Sequence, residues 1–174
     1  VDDSGREFAR ELGTRLAAKG ILVISGAAKG VDMEAMTAAL EEGGQAAGIL
    51  SQGVKKYAQS RDYCDGLMDS SLVLAASVAP EAPFHVGTAM GRNKYLYALA
   101  DYAVVVSSGE KGGTWSGATE NLRHGWCPLF VRQGDDVPIG NKVLLSKGAN
   151  PMEQPDPDLL KPAKGPPRQL DLFE

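Results

Sequence analysis

Two segments made of small residues, hydroxyls and single cations hold the side chains best suited to chemistry in this chain. The first, Ser25-Gly26-Ala27-Ala28-Lys29-Gly30, ends the apolar run Ile21 to Ile24 and leads into a helical pattern at Val31-Asp32. A buried strand that feeds a helix through such a turn leaves backbone N–H groups uncovered at the helix N-terminus, and these groups and the helix dipole attract phosphate. The second segment, Ser107-Ser108-Gly109-Glu110-Lys111-Gly112-Gly113-Thr114-Trp115-Ser116-Gly117, repeats the plan and adds the hydroxyls of Thr114 and Ser116. Between them stands Arg92-Asn93-Lys94, whose side-chain types read phosphates and base edges. Neither loop carries G-x-G-x-x-G or G-K-[ST], so the pattern calls for a phosphate or phosphodiester and names no nucleotide. The bland alternative is that the glycines only permit tight strand-to-helix packing and the cations sit on solvated faces.

Other chemistries are poorly supplied. His85 and His124 are the only histidines and stand far apart, and Cys64 and Cys127 are the only cysteines. No Cys-His spacing suits a metal, no paired carboxylates or His-nucleophile arrangement suits catalysis, and no cofactor is indicated. The net charge of −4 means that any nucleic-acid surface must be a local basic patch. No apolar run is long enough to span a membrane and no signal peptide is present, so a reducing cytoplasm is expected. The chain of 174 residues opens on Val1 without a methionine, which suggests a fragment.

The elements that must position these residues alternate regularly. Asp3 or Ser4 can cap a helix to about Lys19, striped by Phe8, Leu12 and Leu16 and stopped by Gly20. Strands are expected at 21–25, 45–51, 71–77, 102–107 and 127–131, and helices at 31–42, 61–69, 86–100, 115–125 and 140–148. The strands are near-continuous apolar runs, as in strands buried on both faces. The expectation is an α/β domain over residues 1–150: a Rossmann-like open parallel sheet with helices on both faces. Ligands of such sheets bind beyond the carboxyl ends of the strands. That edge gathers Ser25, Gly26, Lys29, Gly30, Arg92, Asn93, Lys94, Lys111, Gly113, Thr114 and Ser116 as phosphate-binding candidates, with Lys55 and Lys56 on a further loop.

Residues 151–174 differ. Six prolines and little to bury predict an extended, flexible tail. It ends in Gln169-Leu170-Asp171-Leu172-Phe173, which resembles the bacterial sliding-clamp-binding pentapeptide Gln-Leu-(Ser/Asp)-Leu-Phe at every position. The alternative is that these apolar residues dock on their own domain.

Several segments also carry a family resemblance. Ser25-Gly26-Ala27-Ala28-Lys29-Gly30-Val31-Asp32 resembles the Ser-Gly-x-Ala-x-Gly-(Ile/Val)-Asp segment of the DprA/Smf DNA-processing proteins. Arg92-Asn93-Lys94 is similar to that family's Arg-Asn-Arg, and Gly113 to Ala118 to its Ser-Gly-Ser loop. Gly140-Asn141 and Leu144 to Ala149 resemble its closing Gly-x-Asn-x-Leu-Ile-x-x-Gly-Ala. The resemblance covers about residues 4–152, in the family's order. It implies a Rossmann-like domain that binds single-stranded DNA, forms homodimers and loads a RecA-type recombinase.

Departures are specific. The family's Gly-Ser-Arg strand is missing ahead of the first helix, and the resemblance places it upstream of Val1. Lys94 replaces an arginine, which weakens bidentate contacts. Glu34-Ala35-Met36 stands where Ala-His is common, and no winged-helix domain follows. Two other functions stay open: a sensor that binds a small nucleotide, and a LOG-type nucleoside-monophosphate phosphoribohydrolase. The latter's Gly-Gly-x-Gly-Thr-x-x-Glu is only loosely echoed by Gly112-Gly113-Thr114 and Glu120, the one candidate general base.

Overall fold

A computed structural model describes residues 2–160, apart from the side chains of residues 61 and 62. Helix α1 (Asp3–Ala18) starts where the Asp2 side chain accepts the Gly5 N–H at 2.9 Å, one residue earlier than the candidates Asp3 and Ser4. Phe8, Leu12 and Leu16 recur every fourth residue and bury one stripe. Burial of each such side chain contributes about 1.5–3 kcal/mol. Gly20, at φ 67°, turns the chain out of the helix.

Strand β1 (Val23–Ser25), helix α2 (Val31–Glu41), strand β2 (Ala46–Leu50), helices α3 (Lys55–Ala58) and α4 (Arg61–Met68), and strand β3 (Leu72–Ala76) make the first half. Helix α5 (Val86–Leu99) crosses to strand β4 (Ala103–Val105). Helix α6 (Gly113–His124), strand β5 (Leu129–Arg132), helix α7 (Ile139–Ser146) and strand β6 (Asn150–Met152) complete the second half. All pairings are parallel, in two three-stranded sheets ordered β1-β2-β3 and β4-β5-β6. The register sets Ile24 beside Ala47, Gly48 beside Leu74, and Val104 beside Phe130. The expected Rossmann-like α/β architecture is present, with the strands collected into two groups.

One core lies under α1 and α2, built from Phe8, Leu12, Met36, Leu50 and Leu72, and it reaches across to Val106 and Met152 of the second half. The other gathers Tyr97, Ala118, Leu129, Val131 and Leu144.

Residues 151–160, expected to belong to an extended tail, pack on the domain instead. Pro151 and Met152 belong to β6, and Met152 is fully buried. Pro157–Leu159 form a 3-10 turn, Leu160 packs on the α1 core, and Lys19 pairs with Asp158. Proline is tolerated in β6 because an edge strand needs no N–H on its outer side. Residues Gln169 to Phe173 lie outside the described residues.

Candidate functional site

The loop after β1 and the loop after β4 open into one crevice of about 720 Å³, with α5 between them. Ser25, Ala28 and Lys29 line it from the first loop, and Ser107, Gly112, Gly113, Thr114 and Ser116 from the second. This is the carboxyl edge where the sequence placed the candidates, and the two loops do converge. Gly30 (φ 105°) caps α2 and Gly112 (φ 96°) caps α6, both in conformations that favour glycine, and neither offers a capping side chain. First-turn N–H groups of both helices are therefore left to other acceptors.

The two loops differ in their electrostatics. Asp32, in the first turn of α2, accepts the N–H groups of Gly26 (3.1 Å) and Ala28 (3.3 Å) through Oδ2. A carboxylate of this chain thus occupies donors that the sequence offered to phosphate. The α6 N-terminus has no such carboxylate in its first turn. Gly113, Thr114 and Ser116 therefore line the crevice without a competing first-turn carboxylate, and Lys29 lines it from the first loop.

The Arg92-Asn93-Lys94 triplet does not form one patch. It lies in the middle of α5, whose faces divide it. Arg92 is only 7% exposed and lines the crevice wall, where its Nη1 donates to the Ile49 carbonyl at 2.7 Å. Burial lowers its pKa, and the nearby Asp32 carboxylate opposes that shift. Its Nε is buried without a hydrogen-bond partner. Asn93 Nδ2 donates to the Gly113 carbonyl at 2.9 Å and so ties α5 to the second loop. Lys94 is not a crevice residue; its Nζ stands 5.4 Å from the Tyr95 ring centroid.

The remaining cations lie around the rim. Lys111 is exposed on the second loop without lining the crevice. Lys55 pairs with Glu81 at 2.5 Å, and Lys56 is exposed beside it on α3. Glu120 does not line the crevice. Among the described residues no group of three or more His, Cys, Asp or Glu could hold a metal, and no helix is long and apolar enough to cross a membrane.

Sequence reasoning missed three contributors. Asp32 was visible only as a first-turn acid. Phe84, Val86 and Met90 form an exposed apolar wall of the crevice. Asn141, fully buried, donates through Nδ2 to the carbonyls of Val106 and Arg132, both at 2.9 Å, and accepts the Ser108 N–H at 2.8 Å. It holds the start of the second loop in place.

A parallel α/β fold with a crevice at the carboxyl ends of β1 and β4 defines the class. The chain belongs to the family described as DNA recombination-mediator protein A, whose model matches residues 1–161. No curated protein sequence matches it significantly. Among solved structures it is similar to DNA processing protein A (DprA) from Streptococcus pneumoniae: TM-score 0.77, 17% identity, covering 92% of this chain and 58% of that one. DNA processing protein A from Helicobacter pylori, described for its single-stranded DNA binding mode, matches with TM-score 0.74 and 21% identity over 89% of this chain and 72% of that one. The molybdenum cofactor binding protein of Rippkaea orientalis matches with TM-score 0.64 and 18% identity over 92% of this chain and 86% of that one. At these identities the likeness is one of fold, and the chain spans well under two thirds of the S. pneumoniae protein.

Proposed function

We propose that this domain binds single-stranded DNA in its crevice and acts in DNA processing, uptake or recombination. One observation carries the reading: anion-binding groups and an exposed apolar wall share one cleft. Lys29 and the α6 N-terminus supply phosphate contacts, while Phe84, Val86 and Met90 offer surfaces on which bases can stack or pack. Membership of the recombination-mediator family and the described binding mode of the H. pylori protein support it. We read the domain as one that binds its ligand without turnover; Glu120, the candidate base of the sequence, does not line the crevice. A homodimer that delivers a RecA-type recombinase to the bound strand, in the cytoplasm, is the setting we infer from the family resemblance. Gln169, Leu170, Asp171, Leu172 and Phe173 would tether the protein to the replicative sliding clamp.

Fluorescence-anisotropy titrations with single-stranded DNA, duplex DNA and AMP, each at two salt concentrations, test this. The expected result is preference for the single strand with steep salt dependence and a site of several nucleotides. Tight AMP binding that salt barely weakens would replace DNA binding with nucleotide sensing. Release of adenine from AMP would make the protein a hydrolase.

A further inference from the structure

Ala27, buried in the first loop, takes a left-handed backbone conformation at φ 52°, which a β-carbon disfavours. The N–H groups on either side of it, those of Gly26 and Ala28, converge on one atom, Asp32 Oδ2, at 3.1 and 3.3 Å. Backbone N–H groups that converge in this way form a concavity for an anion. Here the anion belongs to the chain itself. The next donors are also engaged: the Met33 N–H donates to the Ala28 carbonyl and the Glu34 N–H to the Gly30 carbonyl.

A cation stands at the same loop. The Arg92 guanidinium lies against Gly26 and is only 7% exposed. Its Nη1 is engaged by the Ile49 carbonyl, and its Nε is buried without a hydrogen-bond partner. Burial disfavours the charged guanidinium, and the Asp32 carboxylate favours it. A buried guanidinium with an unused N–H needs a negative neighbour, and Asp32 is the one this chain supplies. Asp32 and Arg92 both line the crevice. A ligand that enters therefore meets a carboxylate where two N–H groups and a guanidinium would otherwise attract it. The second loop has no counterpart: the first turn of α6 carries no acid, and Glu110 is exposed without lining the crevice.

We propose that Asp32 is a specificity-determining residue, whose carboxylate stands in for phosphate at the loop between β1 and α2 and keeps phosphate oxyanions out of it. The inference rests on the single-stranded DNA reading for its ligand and adds an orientation to it. The backbone of a bound strand is held on the α6 side, and the first loop faces sugar or base. A compact polyanion that spans both loops, such as a nucleoside diphosphate, is repelled at one of them. A single strand carries its phosphates one per nucleotide and can pass the first loop without placing one there.

Two variants separate charge from loop shape. Asp32→Ala frees the Gly26 and Ala28 N–H groups and leaves the Arg92 charge unopposed. Asp32→Asn keeps the size of the side chain and an acceptor oxygen and removes the charge alone. Inorganic phosphate is titrated into the wild type and both variants, and the backbone amides of Gly26 and Ala28 are followed by NMR. Phosphate should leave both amides unshifted in the wild type. In the variants it should shift them saturably, with affinity at least about tenfold above the wild type, the effect of one charge-assisted contact. Asp32→Asn decides the outcome where Asp32→Ala disturbs the rest of the amide spectrum. Shifts of equal affinity in the wild type overturn the proposal, and so does the lack of a phosphate response in folded Asp32→Asn.

A second arm titrates single-stranded DNA at several salt concentrations. Asp32→Asn should bind it more tightly than the wild type, with the slope of log K against log salt steeper by about 0.7, one further phosphate. Weaker or unchanged binding with an unchanged slope would mean that Asp32 serves only the shape of the loop, and overturns the proposal. The two arms also keep this role apart from the DNA reading. A phosphate response at Gly26 and Ala28 in the variants, with no DNA bound by any of the three proteins, keeps the role of Asp32 and discards DNA as the ligand. DNA binding without that response discards the role and keeps the DNA.

Discussion

The Arg92 guanidinium lies directly against the Cα of Gly26: a β-carbon at Gly26 would fall 1.8 Å from Nη1. Arg92 is thereby a strut, joining α5 to the first loop and to the carboxyl end of β2 through Ile49. Gly26→Ala should push the guanidinium out and cost about 1–3 kcal/mol, the usual range for overpacking. Urea denaturation checks it. Unchanged stability with unchanged crevice binding would mean that the contact is not needed.

The division of Arg92, Asn93 and Lys94 shows where sequence stopped informing. Their order and helical setting were legible, because Val86 to Leu99 has the length and composition of a helix. Which face each residue occupies was not, since α5 is apolar on more than one side and no clear stripe tells inside from outside. The strands and both loops were legible from apolar runs ending in Ser-Gly and Ser-Ser-Gly. Strand β6 was not, because Pro151 reads as a linker until β5 is seen to need an edge partner. Asp32 looked like an ordinary first-turn acid; only the folded loop reveals that it competes with phosphate for two N–H groups.

Salt dependence should separate the cations. Lys29→Ala removes a crevice contact and should lower the slope of log K against log salt for single-stranded DNA by about 0.7. Lys55→Ala should leave it unchanged, because Lys55 is engaged by Glu81. Lys94→Ala should also have little effect, since Lys94 sits outside the crevice lining. Equal slope changes at all three would mean that DNA follows another path.

Asn141→Ala should be among the most damaging single changes in the second half. It removes three hydrogen bonds and leaves the Val106 and Arg132 carbonyls and the Ser108 N–H without that partner. The expected cost is about 3 kcal/mol, at roughly 1 kcal/mol per buried bond. Asn141→Asp should be no better, because its carboxylate would face two carbonyl oxygens. DNA affinity should fall with stability, as the start of the second loop loosens. A change below about 1 kcal/mol in urea denaturation would count against this role.

The two cysteines should differ sharply in reactivity. Cys64 is exposed, while burial, assisted by the Asp101 charge, pushes the Cys127 thiol from its ordinary 9.0 up to about 12. A thiol reagent at pH 8 should label Cys64 quickly and Cys127 only after unfolding. Because the folded pKa is raised, the neutral thiol's stabilisation is fully present below the unfolded value. It is lost as pH rises from about 9 toward 12. Cys127→Ser should flatten that part of the stability profile. Rapid labelling of both cysteines in the native protein would contradict the burial of Cys127.

Deletion of residues 169–174 should separate tethering from DNA binding. Leu172 and Phe173 are the apolar anchors of the pentapeptide, each able to contribute about 1.5–3 kcal/mol on burial in a partner's pocket. Gln169 supplies directional hydrogen bonds. The described residues close on Leu160, and the crevice lies among residues 24–116. Loss of the last six residues should therefore leave single-stranded DNA affinity and melting temperature unchanged while abolishing binding to a purified bacterial sliding clamp. A synthetic peptide of residues 166–174 should compete with the full chain for the clamp. A lowered melting temperature on deletion, together with a peptide that shows no clamp affinity, would mean that Leu170, Leu172 and Phe173 pack on their own domain instead.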